Sequence, residues 1–346
     1  MHWILNGWKR LQGWKRLVGV CAIVFLSTIS LMAPANAARL QDLPDERWEV
    51  VALPTQESPL DLAFTGDPNH GWMVGTNSML LETLDGGQTW KERPLDLGTQ
   101  KYRFSAVSFA GDEGWIAGQP AILLHTPDGG QSWERMPLSE KLPGSPEFLE
   151  ALGKGDLEMV TDVGAIYHTT DGAVNWKAMV DDAFGVVRSL HRSADGQYVA
   201  VSSRGNFFSI WKPGSRLWEP FNRNSSRRLQ NMGFTPDDRL WIIARGGSIQ
   251  FTNSPDPEDW QKAQAPESFN SWGFLDMAYR TNDEVWIVGG SGSLLASFDN
   301  GQTWYHDANM DQEVPANLYK IEFLNENKGY ILGQRGTLLR YRGAAA

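Results

Sequence analysis

Six histidines, a series of hydroxyl–Asp–Gly turns and an uneven spread of arginine are the features of this 346-residue chain that could carry chemistry. His125 and His168 could bind metal or move protons, but each stands just before an equivalent turn, so their recurrence reads as strand register. Hydrolysis of the sialidase type needs several arginines around a carboxylate, a tyrosine nucleophile and a carboxylic acid close by. Tyr102, Tyr279 and Tyr319 are available, yet nothing in the sequence brings such groups together. Phosphate loops, a Ser-His-Asp signature and zinc-ligand spacing are missing. The acidic groups Asp42/Asp45/Glu46 and Asp181/Asp182 read as solvated loops. No catalytic residue, metal or cofactor is expected.

Arginine is the more informative signal. Residues 186–250 hold ten basic side chains, among them Arg188, Arg204, Arg223, Arg227, Arg228 and Arg245, against four acidic ones, a local +6 in a chain of net −10. Such asymmetry points to a bipolar surface.

The elements that would position these residues repeat. Trp48, Trp90, Trp133, Trp176, Trp218, Trp260 and Trp304 recur every 42 to 44 residues. TLDGGQTW, TPDGGQSW, TTDGAVNW and SFDNGQTW close on four of them, with WKPGSRLW and TNSPDPEDW as degenerate copies. Ahead of each turn come β-type stretches such as Ser78–Thr83, Gly71–Gly75 and Ser105–Phe109. No sustained 3.6-residue apolar period interrupts them, so the chain reads as all-β. A unit of four antiparallel strands in about 43 residues is the blade of a β-propeller. The opening strand RWEVVAL and the three final strands complete one blade, which predicts seven blades closed by the N-terminal strand. The Asp-box turn itself is a folding device in which Asp accepts backbone N–H groups and the following Trp covers the hairpin.

Propeller geometry then sorts the arginines. Arg204, Arg245 and Arg335 fall in turns between second and third strands, and Arg223, Arg227 and Arg228 on a link between blades. Arg103 falls near the end of another link, and Arg188 and Lys320 on innermost strands. All are expected on one face, with Arg192, Arg216 and Arg239 on the other. The two readings are ordinary solvated charge and a docking surface for an acidic partner.

Residues 1–37 read as a signal peptide: Lys9, Arg10, Lys15 and Arg16 precede an apolar run from Leu17 to Met32, and Ala35-Asn36-Ala37 offers a cleavage site. Removing it takes four of 31 basic residues and none of 41 acidic ones, leaving the propeller of residues 38–346 at −14 and without its single cysteine. Disulfides, thiol chemistry and nucleic-acid binding through overall charge are thereby excluded.

The export leader, seven Asp-box-type units, the Gly-Trp/Tyr-x-x-Gly strands and the Arg-Gly turns resemble the photosystem II assembly/stability factor family of cyanobacteria and plastids, over about residues 38–346. The resemblance implies a non-enzymatic, monomeric chaperone in the thylakoid lumen or periplasm, peripheral to the membrane. Its implied partners are newly made photosystem II reaction-centre subunits, especially the precursor with a C-terminal extension, and early assembly intermediates. It assigns the partner-binding patch to Arg188, Arg204, Arg223, Arg227, Arg228 and Arg245, with Arg103 and Arg335. Many cyanobacterial members are lipoproteins; this chain departs from them in placing Val20 ahead of Cys21. The rival readings are an exported sialidase-like glycoside hydrolase and a generic periplasmic scaffold for envelope proteins.

Overall fold

A computed structural model describes residues 40–223, 225–266 and 273–343. The expected leader at 1–37, with Cys21, lies outside them.

The second strand of each unit is a short continuous apolar run, the pattern of a strand covered on both sides. Gly71–Gly75, Tyr198–Ser202, Leu240–Ala244 and Val285–Gly289 are buried at every residue. Their sheets are seven in number, with innermost strands Pro59–Phe64, Arg103–Ala110, Pro146–Gly153, Val187–Arg192, Leu229–Phe234, Phe274–Tyr279 and Leu318–Asn325. These define blades 1 to 7. Seven apolar clusters fill the structure, one in each interface between consecutive blades. Trp72, Val74 and Leu80 of blade 1 meet Phe104, Val107 and Ile116 of blade 2. Val51, Leu332 and Leu338 of blade 7 meet Leu62, Met73 and Leu81 of blade 1, closing the circle.

Closure follows the expected scheme. Trp48–Val51 pairs antiparallel with Thr337–Tyr341 as the outermost strand of blade 7. Trp48 is 1% exposed and lies edge-on to Trp286 of blade 6 at 5.6 Å and to Tyr341 at 5.3 Å.

Two blades depart from four antiparallel strands. Blade 5 has three, Leu229–Phe234, Leu240–Ala244 and Ser248–Phe251, followed by isolated bridges at Thr252↔Trp260 and Ile249↔Gln264. The insertion here carries Pro255 and Pro257 in the turn ahead of Trp260, and beyond it only these isolated bridges form among the described residues. Blade 6 gains a fifth strand, Gln41–Asp42, parallel to Tyr305–His306. The N-terminal segment therefore spans blades 6 and 7. A six-residue helix, Ala308–Glu313, links those blades; Asp307 caps it by accepting from the Met310 N–H, and Met310 and Val314 are buried in their shared core.

The Asp-box turns have the expected wiring. Asp128 Oδ1 accepts from the Ser132 N–H at 2.9 Å, its Oδ2 from the Ser132 hydroxyl at 2.6 Å, and Thr126 Oγ1 accepts from the Gly130 N–H at 2.8 Å. The backbone bond to Oδ1 recurs at Asp85, Asp171 and Asp299. Those donors hold the Asp128 carboxyl down at about 2, from an ordinary 3.8. Its stabilising contribution is thus complete above about pH 4 and lost as pH falls through about 2. Asp128→Ala is expected to lower stability by about 1–2 kcal/mol near neutral pH, by analogy with removal of a helix cap. Urea unfolding of this variant and the native chain should converge as the buffer is taken from pH 6 down toward pH 2.

Candidate functional site

Each innermost strand slips register against its neighbour at the same place, just after Pro59, Phe104, Pro146, Val187, Leu229, Phe274 and Leu318. A β-bulge leaves one residue outside the ladder and re-aims its side chain. In blades 3, 4 and 5 that residue is Glu147, Arg188 and Gln230.

The bulge delivers Arg188 to the face formed by the links between blades and the turns between second and third strands. There its Nη1 donates to Gln230 Oε1 at 2.9 Å and its Nη2 to the Ser203 carbonyl at 2.8 Å. Ser203 opens the turn that carries Arg204. The Leu229 N–H donates to the Gly205 carbonyl at 2.7 Å, holding that turn against the link bearing Arg227 and Arg228, and the Arg245 N–H donates to the Arg228 carbonyl at 2.8 Å. Backbone and side-chain bonds thus gather Arg188, Arg204, Arg227, Arg228 and Arg245 across blades 4 and 5, all exposed.

The five share a second property. Away from this group, most described arginines are paired, among them Arg192 with Glu158 at 2.8 Å, Arg239 with Asp237 at 2.7 Å, Arg216 with Asp181 at 2.9 Å and Arg280 with Glu284 at 2.5 Å, whereas Arg135, Arg223 and Arg335 also lack a carboxylate. Among the described residues none of the five has a carboxylate partner. Their charge is left for something outside the chain.

The remaining expected site residues are placed differently. Arg103 is on the same face but two blades away, and Glu147 neutralises it at 3.2 Å. Burial pushes the Glu147 carboxyl up, against the pull of that guanidinium. Beside them Lys101, Gln119, Pro120 and Ser145 line an open cavity of about 650 Å³. Arg335 lies two blades away on the other side, in a turn whose N–H donates to Ser58 Oγ at 3.3 Å. Arg223 is half-buried, bonded to Gln250, with Nη1 lacking a partner, and burial lowers its pKa. Lys320 is not on the face at all. It turns into the axial channel, where it bonds Asp61 and meets Glu322 at 2.8 Å. A charge on an innermost strand beyond the bulge points to the channel, and this distinction is invisible in composition.

The channel is self-contained. Asp61 accepts from the Val107 N–H of blade 2 at 2.8 Å and Asp276 from the Ile321 N–H of blade 7 at 2.9 Å, so carboxylates satisfy inner-strand donors of the following blade. Burial pushes Asp276 up to about 7 and His191 down to about 4. His125 and His168 bond Glu113 at 2.8 Å and Asp156 at 2.6 Å, equivalent pairs in successive blades. Among the described residues no three metal-ligating side chains converge. Tyr102, Tyr279 and Tyr319 belong to blades 2, 6 and 7, and their hydroxyls bond Arg135, Asn300 and backbone carbonyls.

Sequence reasoning missed Gln230, the Ser203 carbonyl and Glu147 as the groups that orient or neutralise arginines. The repeat period carried a signal for two of them: Arg188 and Gln230 are 42 residues apart and Arg103 and Glu147 are 44, each close to one repeat.

Comparison with known proteins agrees with this architecture. The profile of the family described as Photosynthesis system II assembly factor YCF48 matches residues 40–342. The photosystem II assembly lipoprotein Ycf48 of Trichormus variabilis is 55% identical over 323 residues, covering 93% of this chain and 95% of that protein. A solved structure described as YCF48 bound to D1 peptide superposes with TM-score 0.85 at 53% identity, covering 88% of this chain and 99% of that one. YCF48 from Cyanidioschyzon merolae gives TM-score 0.80 at 40% identity, over 86% of this chain and 99% of that one.

The Arg204 turn depends on one glycine. Gly205 has φ +66°, and a Cβ there would lie 2.3 Å from the Leu229 carbonyl, whereas Gly246, at φ +85°, has nothing within 4 Å. Gly205→Ala should cost about 2–3 kcal/mol against about 1 for Gly246→Ala, measured from urea unfolding of both variants.

Proposed function

The chain belongs to the photosynthesis system II assembly factor YCF48 family, and from that premise we propose a non-enzymatic chaperone that grips newly made reaction-centre subunits with the arginine group of blades 4 and 5. The observation that carries the docking mode is the gathering of five exposed guanidiniums without carboxylates on two adjacent blades, in a chain of net −10 that pairs most of its other arginines. A solved relative is described as bound to a D1 peptide, and the D1 subunit, in its precursor form, is the partner assigned to this face. Arg223, Arg103 and Arg335 would take a secondary part, since one is half-buried and the other two stand apart from the group.

The chemistry suits the task. Guanidinium holds a carboxylate through two parallel N–H bonds and stacks on aromatic side chains, both available on an unassembled loop or tail. A closed ring presents these donors with little further ordering on binding. Contacts at an exposed face are screened by salt and individually weak, which favours release as other subunits arrive.

Changing Arg204, Arg227 and Arg245 together to Glu should reduce capture of early photosystem II assembly intermediates about tenfold or more in pull-downs. Unchanged capture by a variant with native melting behaviour would remove the arginine mechanism.

Delivery to the thylakoid lumen or periplasm is assigned to the leader 1–37, with a monomeric propeller of residues 38–346 peripheral to the membrane. Val20 occupies the position before Cys21 where lipidation favours a small residue, which supports cleavage after Ala37 instead. N-terminal sequencing of the native protein is expected to begin at Ala38; an acylated Cys21 would refute cleavage there.

A further inference from the structure

Val186 is 61% exposed in the midst of charge. Its carbonyl accepts the Ser203 N–H at 2.9 Å, which holds it against the turn bearing Arg204, and it stands two residues before Arg188. Phe184 and Phe207, both half-buried, meet edge to face with centroids 5.3 Å apart, and Phe184 lies 5.6 Å from Trp218. Trp218 is fixed there by its Nε1, which donates to the Gly164 carbonyl at 2.8 Å. The other large apolar side chains more than half exposed among the described residues are Leu84 and Val174 in Asp-box turns of the opposite face, Leu217 in the loop before the outermost strand of blade 4, and Val50 on the outermost strand of blade 7. Val186 is exposed beside unpaired guanidiniums, and Phe184, two residues before it in the chain, belongs to the aromatic cluster.

We infer that this face recognises an acidic peptide segment that also carries an aliphatic or aromatic side chain. Val186 takes that side chain while Arg188 and Arg204 hold neighbouring carboxylates. The inference rests on the docking role proposed above and assigns its specificity. Charge complementarity selects the occupant: five unpaired cations call for carboxylates, and the exposed apolar group beside them is one valine, matched by a single side chain. Ionic contacts alone discriminate poorly among acidic segments, because attraction at an exposed face follows charge more than arrangement. An apolar anchor next to the carboxylate grip adds selection by shape, and salt does not screen it. The spacing of Val186 and Arg188 suits a ligand whose apolar residue lies within about two positions of an acidic one along an extended chain.

Two synthetic decapeptides of Ser, Gly and three Glu, differing only in one Leu placed between two of the glutamates, test this against the purified full chain by calorimetry at low and high salt. The Leu peptide is expected to bind about three- to tenfold tighter, an advantage that persists at high salt. Val186→Ser should bring the ratio between the peptides close to one, Val186→Ile should preserve it, and Arg204→Gln should weaken both peptides together. Equal affinities for the two peptides, or an advantage that survives Val186→Ser, would overturn the apolar anchor while leaving the arginine grip standing. Failure of both peptides to bind, with Arg204→Gln also silent in capture of assembly intermediates, would overturn the docking role with it. Capture of anionic phospholipid vesicles that Val186→Ser abolishes, without any difference between the peptides, would replace the peptide by a membrane surface.

Discussion

Each sheet in this protein has two apolar faces, and covering both requires a neighbour on either side. Seven inter-blade clusters meet that demand only because the first strand returns to the last blade. A linear array of the same units would expose an apolar face and a strand edge at each end. The N-terminal segment therefore does more than complete a count. It bonds to blade 6 through Gln41–Asp42 and to blade 7 through Trp48–Val51, with Trp48 set among aromatic rings of both blades.

From the same constraint comes the sorting of charge. The Asp-box carboxylates are needed for the turns between third and outermost strands, which places Asp85, Asp128, Asp171 and Asp299 on one face as a consequence of folding. The turns between second and third strands carry no such box. They accept Arg-Gly pairs at Arg204, Arg245 and Arg335, where the glycine supplies positive φ. A bipolar surface thus arises from two kinds of turn, and the arginine face keeps its charge because the acids committed to the Asp boxes lie opposite.

The inner edge of the ring raises a separate demand. Innermost strands have no partner toward the axis, so their N–H groups need acceptors, and Asp61 and Asp276 provide them across blade boundaries. Lys320 answers the charge of Asp61 in turn. The polar channel is therefore structural, and on the innermost strands it is the bulge that turns a residue outward to meet a partner. Arg188 is the case in point: it is oriented by Gln230 and the Ser203 carbonyl, neither of which offsets its charge.

The tryptophan period, the four-strand units and the split end blade determined the fold and its closure in advance, because a repeat has to bury the same faces each time and so keeps its apolar spacing. Turn residues likewise announced which face would carry Arg204, Arg228 and Arg245. Only the tertiary structure decided which charges remain unpaired. Arg103 meets Glu147 and Lys320 meets Asp61, partners one repeat or nearly the whole chain away, and whether such groups touch depends on bulge position and blade packing. In blade 5 isolated bridges stand, among the described residues, where a fourth ladder was expected; the insertion ahead of Trp260 was visible in the sequence, its effect on pairing was not. Local sequence governs turns and strands through short-range sterics; charge compensation is a property of three-dimensional neighbours, and there the chain alone is silent.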